Sequence, residues 1–378
     1  MESATATTIY EQIGVKPVIN ARGFNTVVGG NTPTPRMKAA MEQVERYYVD
    51  MNELLERTGE IAARLMGAEA AYITPGCAAA LALGTAACIA GDDLDKISRL
   101  PDTTGLKNET VIQKGHVYQY DRAACIVGTR LIEVGDANGT TAEQLDAALG
   151  PRTANVLFAA HLDRVPGTLP LERVLEIAHG KGVPVLVDAA AQVFPLERFT
   201  GFARSGADLV AYSTKYFGGP NSAGLLVGRK ELVRAAAMQG FIGFETVSQR
   251  KAFGRPFKMD RQEIVCALVA IQEWLEMDHD RRLAEVERRI AHITRALEGL
   301  PGVATELLRR AGASPRVLRV SVDPGAAHRS AGEVFDELRN GSPSIWVNRE
   351  PDALLVNPEP LKPNEVDVVA SRLRALLA

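Results

Sequence analysis

The fold of this chain is decided by two apolar runs, Val183-Pro-Val-Leu-Val-Asp188 and Ala207-Asp-Leu-Val-Ala-Tyr-Ser-Thr-Lys215. Continuous aliphatic runs of this length are typical of strands buried on both faces, as the strands of parallel sheets are. The first run ends in an acid, Asp188, and the second ends in an amine, Lys215. Because ligands of parallel α/β sheets bind beyond the carboxyl ends of the strands, we predict that both side chains lie at a ligand site.

An acid and an amine in this arrangement are what a pyridoxal phosphate enzyme requires. The amine forms a Schiff base with the cofactor aldehyde, and the acid keeps the pyridine nitrogen protonated so that the ring accepts electrons. We therefore predict Lys215 as the Schiff-base lysine and Asp188 as the partner of the ring nitrogen. Gly218-Gly219 follows the lysine closely and permits close approach of the backbone to a ligand.

The cofactor phosphate needs a helix N-terminus, where backbone N–H groups have no acceptor within the helix. The stretch Tyr72-Ile-Thr-Pro-Gly-Cys-Ala78 supplies a strand, a tight turn and the start of an Ala-rich helix. We therefore predict Gly76, Cys77 and Ala78 as the phosphate ligands.

Other residues at strand ends extend the predicted site. His116 follows the strand Val111-Ile-Gln113, and we favour stacking on the cofactor ring, with a proton relay as the alternative. His161 also ends a strand and is the weaker candidate. The small residues Ala189-Ala-Ala191 leave room for a flat ring, and we predict that Ala190 and Ser213 contact the cofactor.

The expected substrate is an amino acid, whose carboxylate binds well to an arginine. The arginine candidates are Arg22, Arg255 and Arg349, with Arg122 and Arg164 less favoured. The sequence does not choose among them.

Composition excludes several other classes of function. Apolar content of 46% and charged content of 24% are typical of an ordinary soluble protein. The net charge of −3 gives no electrostatic reason to expect nucleic acid or an anionic membrane as a partner. The four cysteines are widely spread and lack the spacing of a zinc or redox site, so we expect no metal and reduced thiols in the cytoplasm.

No targeting or membrane segment is expected. The N-terminus lacks the basic region and the apolar core of a signal peptide. The apolar segment 78–90 is shorter than the ~20 residues that cross a bilayer. It is better interpreted as a core helix packed close to a sheet.

Apolar runs alternate with helical segments between residues 70 and 229, which favours a mostly parallel, covered sheet. We predict seven strands, at residues 71–74, 110–113, 130–134, 153–159, 184–188, 209–213 and 224–227. We predict helices between them at residues 78–90, 119–127, 141–148, 171–179 and 201–205.

The two ends of the chain have a different sequence pattern. Residues 36–64 carry helical periodicity with a break at 47–52, and a charged amphipathic helix is predicted over 261–300 with a break at 277–280. Short strands and helices follow it. We therefore predict three regions: an N-terminal arm and helix (1–54), a large cofactor-binding domain (55–255) and a small α+β domain (256–378).

Several motifs resemble those of a known group of enzymes. They are the Ala-rich segment 76–91, Lys114-Gly-His116, Asp188-Ala-Ala-Ala191, Lys215-Tyr-Phe-Gly-Gly-Pro220 and Val18-Ile-Asn-Ala21. In these stretches the chain is similar to pyridoxal-phosphate enzymes of fold type I. The closest similarity is to the selenocysteine synthase-like branch, which includes the D-glucosaminate-6-phosphate ammonia-lyases.

The resemblance covers residues 15–275 and implies a fold type I α/β architecture with pyridoxal 5′-phosphate as the cofactor. It implies the same roles for Lys215, Asp188 and residues 76–78 as the strand and helix pattern does. It also implies a homodimer or a larger homo-oligomer, with each site near a subunit boundary.

The favoured reaction is elimination from a β-hydroxy amino acid or amino sugar acid, giving a 2-oxo acid and ammonia. In this hypothesis Lys215 removes the Cα proton. Racemisation or epimerisation is an alternative, with His116 as a second acid, and aldol-type cleavage is another. A selenium transferase acting on aminoacyl-tRNA is disfavoured, because the chain starts close to the catalytic arm and is mildly acidic.

Overall fold

A computed structural model describes residues 8–243, 245 and 251–378. The chain forms two compact units, a larger one of Gly30–Glu276 and a smaller one that combines the residues up to Gly29 with Met277–Ala378. These boundaries differ from the predicted ones at 54/55 and 255/256. The reason is packing: the helix Arg261–Glu276 contacts both Pro35–Val44 and Met51–Met66 within the larger unit.

Thirteen strands lie along the described part of the chain. In chain order they are β1 (Val18–Asn20), β2 (Ala70–Thr74), β3 (Glu109–Gln113), β4 (Arg130–Val134), β5 (Thr153–Ala159), β6 (Val185–Asp188), β7 (Leu209–Ser213), β8 (Gly224–Gly228), β9 (Val303–Arg309), β10 (Arg316–Val322), β11 (Ser344–Trp346), β12 (Asn348–Arg349) and β13 (Ala353–Val356).

The α-helices are α1 (Ile9–Gln12), α2 (Pro35–Val44), α3 (Met51–Met66), α4 (Gly76–Ala90), α5 (Leu94–Arg99), α6 (Arg122–Cys125), α7 (Ala142–Ala148), α8 (Leu171–Gly180), α9 (Leu196–Arg204), α10 (Lys230–Met238), α11 (Arg261–Glu276), α12 (His279–Leu297), α13 (Pro324–Ala327), α14 (Ala331–Asn340) and α15 (Pro363–Leu377).

A seven-stranded sheet forms the centre of the larger unit, in the order β2-β8-β7-β6-β5-β3-β4. The pairs β7–β6, β6–β5, β5–β3 and β3–β4 are parallel, whereas β8 runs antiparallel to both β2 and β7. Every residue of β5, β6 and β7 is buried. The prediction of a mostly parallel seven-stranded sheet is therefore confirmed, and all seven predicted strands are present.

Helix α4 packs directly on this sheet. Its Gly84 lies where a Cβ atom would come within 3.2 Å of Leu209 and 3.3 Å of Leu186, so the helix approaches the strands closely. Apolar side chains surround the helix on nearly all sides, as expected of a core helix. Within the described ranges, no helix combines the length and the apolar character needed to cross a bilayer.

Several predictions of secondary structure need correction. The helix predicted at residues 119–127 is only the single turn of α6, and α5, α10 and β1 are among the elements that were not predicted. Helix α9 begins at Leu196 rather than at residue 201, because the helix runs through Gly201 and buries Phe199 and Phe202 on one face. Strand β9 was not predicted. It alternates exposed and partly buried residues at the edge of its sheet, where charged side chains obscure the apolar pattern of a strand.

The smaller unit has its own core. An antiparallel sheet in the order β12-β13-β10-β9 packs with α12, α14 and α15 around a cluster of aliphatic side chains. Strand β1 joins this unit by pairing in parallel with β11. The predicted α+β character of the C-terminal region is thus present, with β1 as an addition from the N-terminal arm.

A buried acid joins elements at the amino edge of the central sheet. Asp208 precedes β7, and its side chain is 2% exposed. Its Oδ2 atom accepts from the Val185 N–H at 2.7 Å and contacts His179 Nε2 at 2.8 Å, while Oδ1 accepts from Arg229 at 2.8 Å. One carboxylate thus connects β6, the end of α8 and the residue that follows β8.

Replacement of this acid should destabilise the larger unit. We expect Asp208→Ala to lower the free energy of unfolding by about 2–3 kcal/mol, since the buried Val185 N–H loses its acceptor. Urea denaturation followed by circular dichroism measures the change. Asp146→Ala is the control, because Asp146 pairs with Lys181 on the surface and should contribute less than about 1 kcal/mol. Equal losses in both variants would show that Asp208 does not have this joining role.

Candidate active site

Five parallel strands end at one edge of the central sheet: β3, β4, β5, β6 and β7. Asp188 is the last residue of β6, and in the strand register it lies between Ala159 of β5 and Ala211 of β7. The small neighbours leave the carboxylate accessible to the loops that follow the strands. The predicted ligand edge is therefore built around Asp188.

Three donors converge on the carboxylate of Asp188, which is 5% exposed. Its Oδ1 atom accepts from the Ala190 N–H at 3.0 Å and lies 3.6 Å from the Cys77 sulfur. Its Oδ2 atom accepts from the hydroxyl of Tyr118. The acid is therefore held by its own loop, by the start of α4 and by the loop after β3.

Tyr118 is a site residue that sequence reasoning missed. Its ring packs edge-on against His161, with centroids 4.9 Å apart. Burial and the negative charge of Asp188 raise the pKa of Tyr118 above its ordinary value, so the phenol stays a neutral donor. The available signal was its position, two residues after His116 in the loop that leaves β3.

Lys215 is the second residue after β7, in the short helical turn Thr214–Phe217. Its amino group lies over the ring of Tyr216, 4.8 Å from the centroid. Burial lowers the pKa of Lys215, which increases the share of neutral, nucleophilic amine. The side-chain amide of Asn31 donates to the backbone carbonyl of Lys215, a contact that the sequence did not reveal.

The loop after the lysine is closed by Thr214. The Thr214 hydroxyl lies 2.7 Å from the carbonyl oxygen of Pro220 and 2.9 Å from that of Ala223. The Gly219 N–H donates to the Thr214 carbonyl at 2.8 Å. A Cβ atom at Gly219 would come within 2.5 Å of the Thr214 Cβ atom, so this position needs glycine. The tight loop fixes the backbone on both sides of Lys215.

The start of α4 has backbone N–H groups that no N-cap side chain satisfies. The helix begins at Gly76, and its N-cap residue, Pro75, offers no side-chain acceptor to the N–H groups of the first turn. Gly76 has φ of +85°, a conformation that favours glycine. A Cβ atom at Gly224 of β8 would lie 2.7 Å from the Cys77 nitrogen, so the turn packs flat against the sheet.

Cys77 connects the predicted residues. Burial raises the pKa of its thiol well above the usual value, and the charge of Asp188 raises it further, whereas the charge of Lys215 lowers it. The thiol thus lies within electrostatic range of both charged groups and stays protonated. The structure therefore places Cys77 next to Asp188 and within electrostatic range of Lys215. The roles of the three residues at a cofactor stay a prediction.

The two histidines differ in their surroundings. His116 has no exposed surface, and its Nδ1 atom accepts from the Ala159 N–H at 3.4 Å. Its ring packs edge-on against Phe158, with centroids 4.7 Å apart. His161, in contrast, is exposed beside Tyr118. His116 therefore presents no open ring face for stacking, and its predicted role stays a prediction.

Burial also controls the charge of these histidines. It lowers the pKa of His116 to about 4, with a further contribution from His161. It lowers the pKa of His161 as well, against the opposing effect of Asp188. Near neutral pH His116 is therefore an uncharged imidazole packed behind the strand ends.

The three arginine candidates have different partners. Arg255, in the larger unit, lies 3.6 Å from a Glu245 oxygen and donates to the Phe241 carbonyl at 3.5 Å. In the smaller unit Arg349 lies over the Phe335 ring, 5.4 Å from its centroid. Arg22 is partly buried in that unit and makes no ion pair with a described residue. The carboxylate-binding role of each stays a prediction.

The residues of the larger unit fit pyridoxal phosphate. The uncapped N-terminus of α4 suits a phosphate, the Asp188 carboxylate suits a protonated ring nitrogen, and Lys215 is an amine of lowered pKa. Over the described residues, no group of three or more His, Cys, Asp and Glu side chains is arranged to hold a metal ion.

Known proteins of similar sequence agree with this chemistry. A 5′-C-glycyluridine monooxygenase-decarboxylase from Streptomyces is 34% identical over 97% of this chain and 92% of its own length. A D-glucosaminate-6-phosphate ammonia lyase from Salmonella typhimurium is 29% identical over 97% of both chains. A solved structure of D-glucosaminate-6-phosphate ammonia-lyase superposes with a TM-score of 0.85, at 28% identity and 98% coverage of both chains.

Residues 122–337 match the aminotransferase class-V family. This match, together with the relatives over nearly the whole length, confirms the fold type I architecture and the pyridoxal phosphate cofactor. The chain is a pyridoxal-phosphate-dependent enzyme of the aminotransferase class-V family.

Proposed function

We propose that this enzyme is an ammonia-lyase that acts on a β-hydroxy amino acid or an amino sugar acid. In the net reaction the substrate loses its Cα proton and its β-hydroxyl as water, and water then replaces the amine. The products are a 2-oxo acid and ammonia. The observation that carries the proposal is the placement of Lys215, with its lowered pKa, at the strand edge that holds Asp188.

Pyridoxal phosphate, when bound, supplies an aldehyde that condenses with an amine and a ring that accepts an electron pair from Cα. The Nζ atom of Lys215 takes the Cα proton, and the lowered pKa of this amine increases the share of the neutral form that accepts it. The same atom then delivers a proton to the departing hydroxyl. Asp188 holds a proton at the ring nitrogen through a carboxylate that three donors orient.

The remaining residues bind the cofactor and hold it in position. The N–H groups of Gly76, Cys77 and Ala78 would hold the phosphate at the uncapped start of α4. Ala190 and Ser213 would line the ring, and the Ser213 N–H donates to the Ala190 carbonyl at 3.2 Å. The position of these residues at the carboxyl edge of the sheet supports the proposed roles.

The two relatives support the substrate class. Both are named for sugar-containing compounds with an amino group, D-glucosaminate 6-phosphate and a glycyluridine. We infer that the substrate of this enzyme carries an amino acid group on a hydroxylated chain.

A second candidate is an oxygen-dependent decarboxylase. The observation that favours it is the 34% identity to a protein named as a monooxygenase-decarboxylase, over 97% of this chain. Both reactions need an amino acid bound at the same cofactor. They differ in whether the electron pair at the substrate carbon expels a β-hydroxyl or reduces dioxygen.

Product analysis separates the two functions. We expect the purified holoenzyme, given β-hydroxy amino acids and amino sugar acids that include D-glucosaminate 6-phosphate, to release equal amounts of ammonia and 2-oxo acid. The assay runs in deuterated water in a closed oxygen-electrode cell. Oxygen consumption with carbon dioxide release would replace the lyase by the second candidate. Deuterium exchange at Cα without ammonia would indicate racemisation, and aldehyde release would indicate aldol-type cleavage.

We also propose that His116 supports the site as a neutral, buried residue. Its pKa is about 4 in the folded chain against an ordinary value of 6.5. The unfolded chain therefore binds a proton more readily between these values, and the stability present above pH 6.5 is lost as the pH falls toward 4.

His116→Asn should flatten this pH dependence. We expect the slope of unfolding free energy against pH to decrease by up to about 1.4 kcal/mol per pH unit inside this window. Urea denaturation at a series of pH values measures the slope. His328→Asn is the control, since His328 is an exposed residue of the smaller unit, whereas His116 is a buried residue of the larger one. An unchanged slope in His116→Asn would mean that this imidazole is not held neutral by burial.

A further inference from the structure

We propose that Tyr118 is a positioning residue that fixes the orientation of the Asp188 carboxylate toward the cofactor ring nitrogen. The inference rests on the cofactor site of the proposed function and is independent of which reaction follows. Its central observation is the hydrogen bond from the Tyr118 hydroxyl to Asp188 Oδ2.

Packing alone does not orient this carboxylate. Asp188 lies between Ala159 and Ala211 in the sheet register, and methyl groups do not restrict rotation of its side chain. Hydrogen bonds must therefore set the plane of the carboxylate. A fixed plane matters because a hydrogen bond to a protonated ring nitrogen weakens steeply when donor and acceptor are misaligned.

The hydrogen-bond donors around Asp188 differ in strength and in the carboxylate oxygen that they hold. The Ala190 N–H, at 3.0 Å, belongs to the loop of the acid itself and holds only Oδ1. The Cys77 sulfur, at 3.6 Å from the same oxygen, is a weak donor. Tyr118 holds Oδ2. Hydrogen bonds from two different loops therefore hold both oxygens and define the plane of the carboxylate. A hydrogen bond to one oxygen alone would not define it.

Tyr118 is itself held in place. Its backbone N–H donates to Asp121 Oδ2 at 3.2 Å, which closes the turn at the start of α6. Its ring packs edge-on against His161 and Tyr120, with centroids 4.9 and 6.3 Å away. The hydroxyl therefore approaches Asp188 from a ring whose position other contacts fix.

The alternative is that Tyr118 only fills space beside His161. Phenylalanine at this position would keep the ring packing and remove only the hydroxyl. Tyr118→Phe therefore separates a positioning role from a packing role. Tyr120→Phe is the matched control, because Tyr120 undergoes the same chemical change, is 66% exposed and lies beside Tyr118.

The experiment measures binding of two ligands to the cofactor-free protein by calorimetric titration. Pyridoxamine 5′-phosphate is the first, since it has no aldehyde and binds without a bond to Lys215. The second is its analogue in which carbon replaces the ring nitrogen. We expect Tyr118→Phe to bind the first ligand about tenfold more weakly than the unsubstituted protein does. It should bind the analogue with unchanged affinity, because that ligand makes no hydrogen bond to Asp188.

Tyr120→Phe should bind both ligands like the unsubstituted protein. Thermal unfolding of the cofactor-free variants checks that each is folded. If Tyr118→Phe is not folded, Tyr118→Leu, which also lacks the hydroxyl, takes its place. An equal loss of affinity for both ligands would overturn the proposal in favour of a packing role. Unchanged affinity for both ligands would also overturn it. No substrate is present, so failure of the lyase proposal would leave this result unaffected.

Discussion

The register of the parallel strands β5, β6 and β7 is the constraint on which the candidate site depends. It places Asp188 between two alanines at the carboxyl edge of the sheet and brings Lys215, one strand further, to the same edge. A shift of one residue in β6 would turn the side chain of Asp188 to the opposite face of the sheet. Every residue of the three strands is buried, so such a shift would also have to repack both covered faces of the sheet.

The sequence predicted the parts of the site that depend on local pattern. The strands that end at Asp188 and Ser213 were recognisable as continuous apolar runs, and α4 as an Ala-rich segment after a Pro-Gly turn. The contacts of Tyr118 with Asp188 and of Asn31 with Lys215 join residues 70 and 184 positions apart. Such contacts leave no local pattern, and only the folded chain reveals them.

The two histidines show a second limit of prediction from sequence. His116 and His161 both follow strands, and nothing in their immediate sequence distinguishes a buried ring from an open one. Their difference arises from neighbours on other strands, because Phe158 and Ala159 of β5 cover His116. The same long-range packing explains why helix α11 belongs with α2 and α3 in the larger unit.

The fold alone does not determine the reaction, since relatives that share it are named for different reactions. Side chains around the cofactor ring must therefore determine what happens to the electron pair at the substrate Cα.

Peptide mapping of the holoenzyme tests the role of Lys215 most directly. The cofactor-loaded protein is reduced with borohydride, digested, and analysed by mass spectrometry for the peptide that retains the cofactor. We predict retention on the peptide that contains Lys215, retention that persists in Lys230→Ala, and its loss in Lys215→Ala. Retention on another lysine, or undiminished retention in Lys215→Ala, would contradict the assignment of Lys215 as the Schiff-base lysine.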